Sequence, residues 1–196
     1  MTKKVFAVSD LHFGHNNIIR FCNRPFANSE AMDTHLIDEW NRRVSEDDVV
    51  KVIGDFAMGP PATDAFIAEK LSLLNGKIHI VLGNHDQPVA KFGQGGMIQI
   101  IEDFNLGDKV KVMPDLYSFE VGGIWFDACH YPMREWPHER INGIHLHGHV
   151  HTELKNANLI RQRRGRHYDV GVDMYGGPVE ITPDLKHLNS PTGWKV

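Results

Sequence analysis

The chain's 196 residues suit one domain and fall short of the roughly 250 that a TIM barrel takes. Apolar residues make up 41% and charged residues 23%, which excludes a disordered or fibrous chain. With 21 Lys and Arg against 25 Asp and Glu the net charge is −4, which excludes wholesale wrapping of nucleic acid.

Two cysteines, Cys22 and Cys129, cannot build a framework of several disulfides and suit a reducing compartment. The basic start Met1-Thr2-Lys3-Lys4 leads into an apolar run too short for a signal peptide, and no run is long enough to cross a bilayer. The expectation is a single cytoplasmic domain over 1–196, with no membrane partner. Thirteen histidines are many for this length, and imidazole is the commonest metal ligand and a near-neutral acid or base.

In chain order, β-branched apolar runs predict buried strands at Val5–Val8, Val49–Ile53 and 78–82. Each ends at a small residue followed by polar ones. Between the first two, Met32, Leu36, Trp40 and Val44 recur every four residues, which predicts a helix capped by Asn28 or Ser29. A second helix is expected from about Thr63, with Phe66, Ile67, Leu71 and Leu74 on one face and Asn75-Gly76 as its stop. Strand–helix–strand alternation implies parallel crossovers. In the second half, Tyr117–Val121 and Ile124–Ala128 flank Gly122-Gly123 as a hairpin. Ile144–His147 and 168–173 read as further strands. Trp40, Trp125 and Trp136 read as core, and the basic stretch 161–167 reads as a solvated turn or loop.

Five segments carry chemistry. They are Asp10-Leu11-His12, Gly54-Asp55, Gly83-Asn84-His85-Asp86, His130, and Gly148-His149-Val150-His151. Carboxylate, imidazole and amide oxygen all ligate borderline divalent metals, and open α/β sheets gather ligands at the carboxyl ends of their strands. Asp10/His12 and His149/His151, each separated by one residue, are expected to point the same way on extended backbone. Arg20, Arg24 and Arg134 are candidates for holding a phosphate. Asp86 is a candidate orienter of His85.

These blocks resemble the calcineurin-like metallophosphoesterases. The stretches Ser9-Asp10-Leu11-His12-Phe13-Gly14-His15, Arg24-Pro25-Phe26, His130-Tyr131-Pro132 and Gly171-Val172-Asp173 resemble a small bacterial and phage-type branch of them. The resemblance implies an α/β fold, a sandwich of two mixed β-sheets flanked by helices. It implies one metal held by Asp10, His12, Asp55 and His151, and a second by Asp55, Asn84, His130 and His149. His85, in neither shell, is implied as a general acid or as a donor to the transition state near the leaving group.

The reading is a two-metal phosphoesterase that hydrolyses a phosphodiester or small phosphomonoester by attack of a metal-bridging hydroxide. Its cofactors are two divalent transition-metal ions, with manganese placed first among manganese, iron, zinc and nickel. Its partner is a small phosphate ester or nucleotide, with nucleic acid left open. The alternative is a non-catalytic module with a structural zinc site. Such sites usually use several closely spaced thiolates, which two distant cysteines do not supply.

Overall fold

The computed structural model describes residues 3–59, 61–86, 94–151, 166–189 and 192–194. Strands β1 (Val5–Val8), β2 (Val49–Ile53), β3 (Lys77–Val81) and β4 (Val110–Val112) run parallel. The short strand β9 (Val179–Glu180) lies antiparallel against β1, giving the order β4-β3-β2-β1-β9. A second sheet has the order β5-β6-β7-β8, built from Tyr117–Val121, Ile124–Ala128, Ile144–His147 and Arg166–Asp169. The β5–β6 pair is antiparallel and the other two pairs are parallel. The expected pair of mixed sheets is therefore present.

Alternation along the first sheet divides the core. Phe6, Val8, Val50 and Val52 face the helices, whereas Ala7 and Ile53 face the second sheet with Phe126, Ile144 and Leu146. Burial on both faces explains why β1 and β2 read as unbroken apolar runs. The helices against the outer face are α2 (Ser29–Arg43), α3 (Asp64–Leu73) and α4 (Gln94–Asp103), while the short α1 (Asn16–Phe21) follows β1. The expected stripe on α2 is buried throughout. Asn28 Oδ1 caps it by accepting from the Ala31 N–H at 2.9 Å, and Thr63 does the same for α3. Trp40 Nε1 donates to the Asn75 carbonyl at 2.9 Å, tying α2 to the turn after α3. In the hairpin, Gly122 and Gly123 both have positive φ, as a two-residue type I′ turn demands.

Three readings change. The strand expected over 168–173 stops at Asp169, and Val172–Tyr175 forms a single helical turn, α5. The chain leaves the second sheet there because Ser9 at the end of β1 takes over its pairing. Ser9 N–H donates to the Val170 carbonyl at 3.1 Å, and Val172 N–H to the Ser9 carbonyl at 3.0 Å. Trp125 is partly exposed and stacks on His138 with centroids 4.4 Å apart, while Trp40 and Trp136 are core. Of the basic stretch, Arg166 and His167 begin β8, and 161–165 lie outside the described residues. Among the described residues no helix is long and apolar enough to cross a membrane.

Trp40 fills the space between α2, α3 and the first sheet and is fully buried. Trp40→Ala is expected to lower stability by about 3–5 kcal/mol. Urea unfolding checks this as a lower midpoint at an unchanged slope.

Candidate metal centre

Every candidate ligand follows the carboxyl end of a strand. Asp10 and His12 follow β1, Asp55 follows β2 and Asn84 follows β3, while His130 follows β6 and His149 and His151 follow β7. The last two strands belong to the other sheet, so the residues meet where the two sheets come together.

The backbone there is unusual. Eight described non-glycine residues have positive φ, and five of them are candidate ligands: Asp10 at 58°, His12 at 54°, Asp55 at 56°, His149 at 72° and His151 at 43°. The other three are Asn23, Asn105 and Asn142, a residue type that tolerates this region. A side chain in the left-handed region costs on the order of 1–3 kcal/mol and persists only where its surroundings overdetermine it, as at functional sites. The paired ligands therefore do not share a face of extended backbone, as expected above. Each sits on a left-handed turn that swings its side chain off the strand end.

The side chains converge. Ligand atoms of Asp10, His12, Asp55 and His151 all lie within 4.8 Å of one another. Asp55 Oδ2 is 3.5 Å from His12 Nε2 and 3.4 Å from His130 Nε2, between the two groups of donors. On the far side, Asn84 Oδ1 lies 3.0 Å from His130 Nε2 and 2.9 Å from His149 Nδ1. Side chains at Gly54, Gly83 and Gly148 would run into the His130 ring, the Asp55 carboxylate and the Ser9–Asp10 pair respectively, which explains the glycines in these motifs.

These residues fit divalent cations on two observations. His12 Nε2 is buried with no hydrogen-bond partner, and the donor set mixes imidazole with carboxylate. Burial, helped by the Arg24 charge, drives the His12 imidazole well below its ordinary range, so the ring is neutral and free to ligate. Burial, the largest single influence, would raise the Asp55 carboxyl, but the hydrogen bond and charge of His130 together with the His85 N–H and charge hold it low. Burial lifts the Asp10 carboxyl against the pull of His151 and His130.

The orientation of each ring is set from behind. His130 Nδ1 donates to the Ile53 carbonyl at 3.0 Å, which leaves Nε2 to face the centre. His12 Nδ1 lies 3.2 Å from His15 Nδ1. Burial lowers the His15 pKa, with the His85 charge acting in the same direction, and a neutral ring can accept the His12 proton. His151 Nδ1 is 2.9 Å from Asp173 Oδ2. Burial, the largest single influence, opposes charge on His151, yet the bond to Asp173 together with Cys22 and the Asp10 charge lifts its pKa to about 10, so a bound cation would take a proton's place there.

Several residues carry other roles than the sequence suggested. The Arg24 guanidinium is buried, bound to both Asp173 oxygens at 2.8 and 2.9 Å and to the carbonyls of Leu11 and Asp10. It braces Asp173 rather than waiting for a phosphate. Asp86 does not orient His85. Its carboxylate accepts from the N–H groups of Gly83, Asp55 and Phe56, each at 2.8 Å, and so locks the loops after β2 and β3 together. Burial raises its pKa to about 6, partly countered by the Gly83 N–H. Asp173 and His15 fall within stretches singled out by the resemblance, but no role was read for them, and the role read for Asp86 was a different one.

The chain belongs to the calcineurin-like phosphoesterase family, whose profile matches residues 3–175, and is thus of a class that hydrolyses phosphoric esters. An uncharacterised protein of Methanocaldococcus jannaschii is 34% identical over 163 residues, 83% of this chain and 78% of that protein. The Gene 66 protein of mycobacterium phage L5 is 26% identical, over 94% of this chain and 95% of that protein. Among solved structures, a protein of unknown function from Aquifex aeolicus shares the fold with a TM-score of 0.67 at 19% identity, covering 91% of this chain and 96% of that one.

Because Asp173 fixes the ring of a ligand, Asp173→Asn is expected to weaken metal binding by about 10–100-fold. Titration against a competing chelator reads this, with circular dichroism checking that the fold is retained.

Proposed function

We propose that the chain is a two-metal phosphoesterase acting on a phosphodiester or a small phosphomonoester, nucleotides included. The observation that carries this reading is the convergence of donors from both sheets on Asp55, with His12 Nε2 buried and unpartnered beside it. Asp10, His12, Asp55 and His151 would hold one ion, and Asp55, Asn84, His130 and His149 the other. Manganese stands first among manganese, iron, zinc and nickel.

Hydrolysis needs neutralised phosphoryl oxygens, an activated water and a proton for the leaving oxygen. When bound, the two ions supply the first two. The chain supplies the third through His85. Its backbone N–H donates to Asp55 Oδ1 at 2.9 Å, which anchors the residue, and its ring centroid lies 5.3 Å from that of His12. Imidazole changes charge near neutral pH, which suits a group that gives up a proton and recovers it each turnover. Arg24 and Asp173 hold His151 in place, and Asp86 keeps Asp55 and Asn84 in register.

The test is reconstitution with each metal, followed by a screen of phosphomonoesters, linear diesters, cyclic nucleotides and nucleic acids. The expected result is two ions per chain and turnover abolished by chelation. One tightly held zinc and no turnover would mean a structural module. Asp55→Asn is expected to lose bound metal and most turnover together, and wild-type turnover with two ions retained would remove Asp55 from its bridging role.

His85→Ala is expected to keep both ions and lose about a hundredfold or more in turnover on an ester with a poor leaving group. The loss should shrink on a nitrophenyl ester, whose leaving group needs little protonation. Equal losses on both substrates would overturn the general-acid role.

A further inference from the structure

The first sheet carries a second chemical feature at the opposite ends of its strands. Strand alternation aims Ala7, Lys51 and Ile53 at the second sheet, and Ala7 and Ile53 are part of the apolar layer between the sheets. Lys51 stands directly opposite Ala7 and two residues before Ile53 on the same face. It is 6% exposed, and among the described residues no carboxylate lies within ion-pair distance of its ammonium group. Its Nζ donates to His79 Nδ1 at 2.8 Å and to the Tyr117 hydroxyl at 3.3 Å, and rests 4.8 Å from the Phe119 ring centroid. None of these partners carries a negative charge.

The register adds further cations. Lys51 pairs with His79, and His79 with Lys111, so three basic side chains stand in one row across β2, β3 and β4 on the same face. Here the row opens into a cavity of about 410 Å³ bounded by β5 of the second sheet. Lys3, Lys77, Lys109 and Lys111 also line the cavity, against two carboxylates, Glu120 and Asp108. Among the described residues the Lys77 and Lys109 ammonium groups donate to backbone carbonyls, of Asp108 and Ser72, with Glu46 near enough to Lys109 to act on its charge. Val5, Val49 and Lys77, which begin β1, β2 and β3, line it as well, placing it at the far end of those strands from Asp10, Asp55 and Asn84.

We propose that this cavity is a binding site for a phosphorylated small molecule, separate from the metal centre. A buried ammonium without a counter-ion is costly unless an anion completes it. The excess of lysines over carboxylates matches a group of charge about −2, such as a phosphate, better than a single carboxylate. The volume accommodates a mononucleotide-sized ligand rather than a polymer. Donation from Lys51 fixes His79 as the tautomer with Nε2–H, a further donor, and burial together with the Lys51 charge keeps that ring neutral, its pKa lowered to about 4. Burial likewise brings Lys51 down to about 8, the direction expected of an ammonium with no anion beside it.

The test is a residue-resolved ¹H–¹⁵N NMR titration of the zinc-loaded full chain at constant ionic strength. One arm uses inorganic phosphate and the other α,β-methylene adenosine diphosphate. The expected result is saturable shifts at Lys51, His79, Lys111 and Tyr117, separate from any at the metal centre. Saturation by phosphate alone identifies the phosphate group as the whole ligand. Saturation only by the nucleotide identifies a nucleoside phosphate. Lys51→Met is expected to weaken this binding about tenfold or more while leaving turnover at the metal centre unchanged. Lys111→Glu, on an exposed position that leaves the core intact, is expected to weaken it in the same way. Shifts reproduced by sodium chloride, no saturation in either arm, or unchanged affinity in both variants would overturn the proposal.

Discussion

The carboxylate of Asp55 is the point on which the site turns. It must lie within reach of imidazoles from two different sheets, and Oδ2 does so at 3.5 Å from His12 and 3.4 Å from His130. Nothing on β2 itself puts it there. Gly54, at φ 85°, turns the chain sharply. Asp86 then grips the N–H groups of Asp55 and Phe56 from the neighbouring loop, and the His85 N–H holds the other carboxylate oxygen. Removing any of these would free a left-handed backbone to relax toward an ordinary turn, taking the carboxylate out of reach of one sheet.

The same logic of support from behind recurs around the centre. His151 is fixed by Asp173, and Asp173 by Arg24, whose remaining N–H groups return to the backbone beside Asp10. A chain of charge-assisted hydrogen bonds thus runs from the last ligand back to the first, and it is almost wholly buried. In such surroundings these bonds are strong, and leaving one member unpaired is expensive. Rigidity of this kind would position the candidate ligands before any cation arrived, leaving little ordering for binding to do. The opposite ends of the strands show the reverse condition, with five lysines gathered against two carboxylates.

Much of this was legible in the sequence. The β-branched runs ending in Ser9-Asp10, Gly54-Asp55 and Gly83-Asn84 marked both the parallel strands and the residues that converge beyond their ends. The stripe of Met32, Leu36, Trp40 and Val44 marked α2. What stayed hidden depends on contacts between distant parts of the chain. Local alternation describes a strand but not how the chain leaves it, so the left-handed ligands were read as extended. Val170 to Asp173 looked like strand because Ser9, more than 160 residues away, supplies the pairing that ends β8. Arg24 read as a candidate phosphate holder because Asp173, its partner, lies 149 residues on. Lys51 was passed over inside a buried run, since a single lysine among four apolar residues says nothing of what its neighbours in the sheet carry.

The order in which the ligands occur along the chain has a consequence for biogenesis. Asp10, His12, Asp55 and Asn84 belong to the part that forms β1 to β3 and is made first, whereas His130, His149 and His151 come with the second sheet, and Asp173 follows last. A nascent chain that has folded only its first sheet would present two carboxylates, one imidazole and an amide at an open edge, with no second wall and with Arg24 lacking its acidic partner. Such a half-site is a weak and unselective trap for whatever cation is most abundant. Domains fold as units once their long-range contacts become available, so for the proposed metal centre ion selection would fall after synthesis of the second sheet, to the finished cage rather than to its first half.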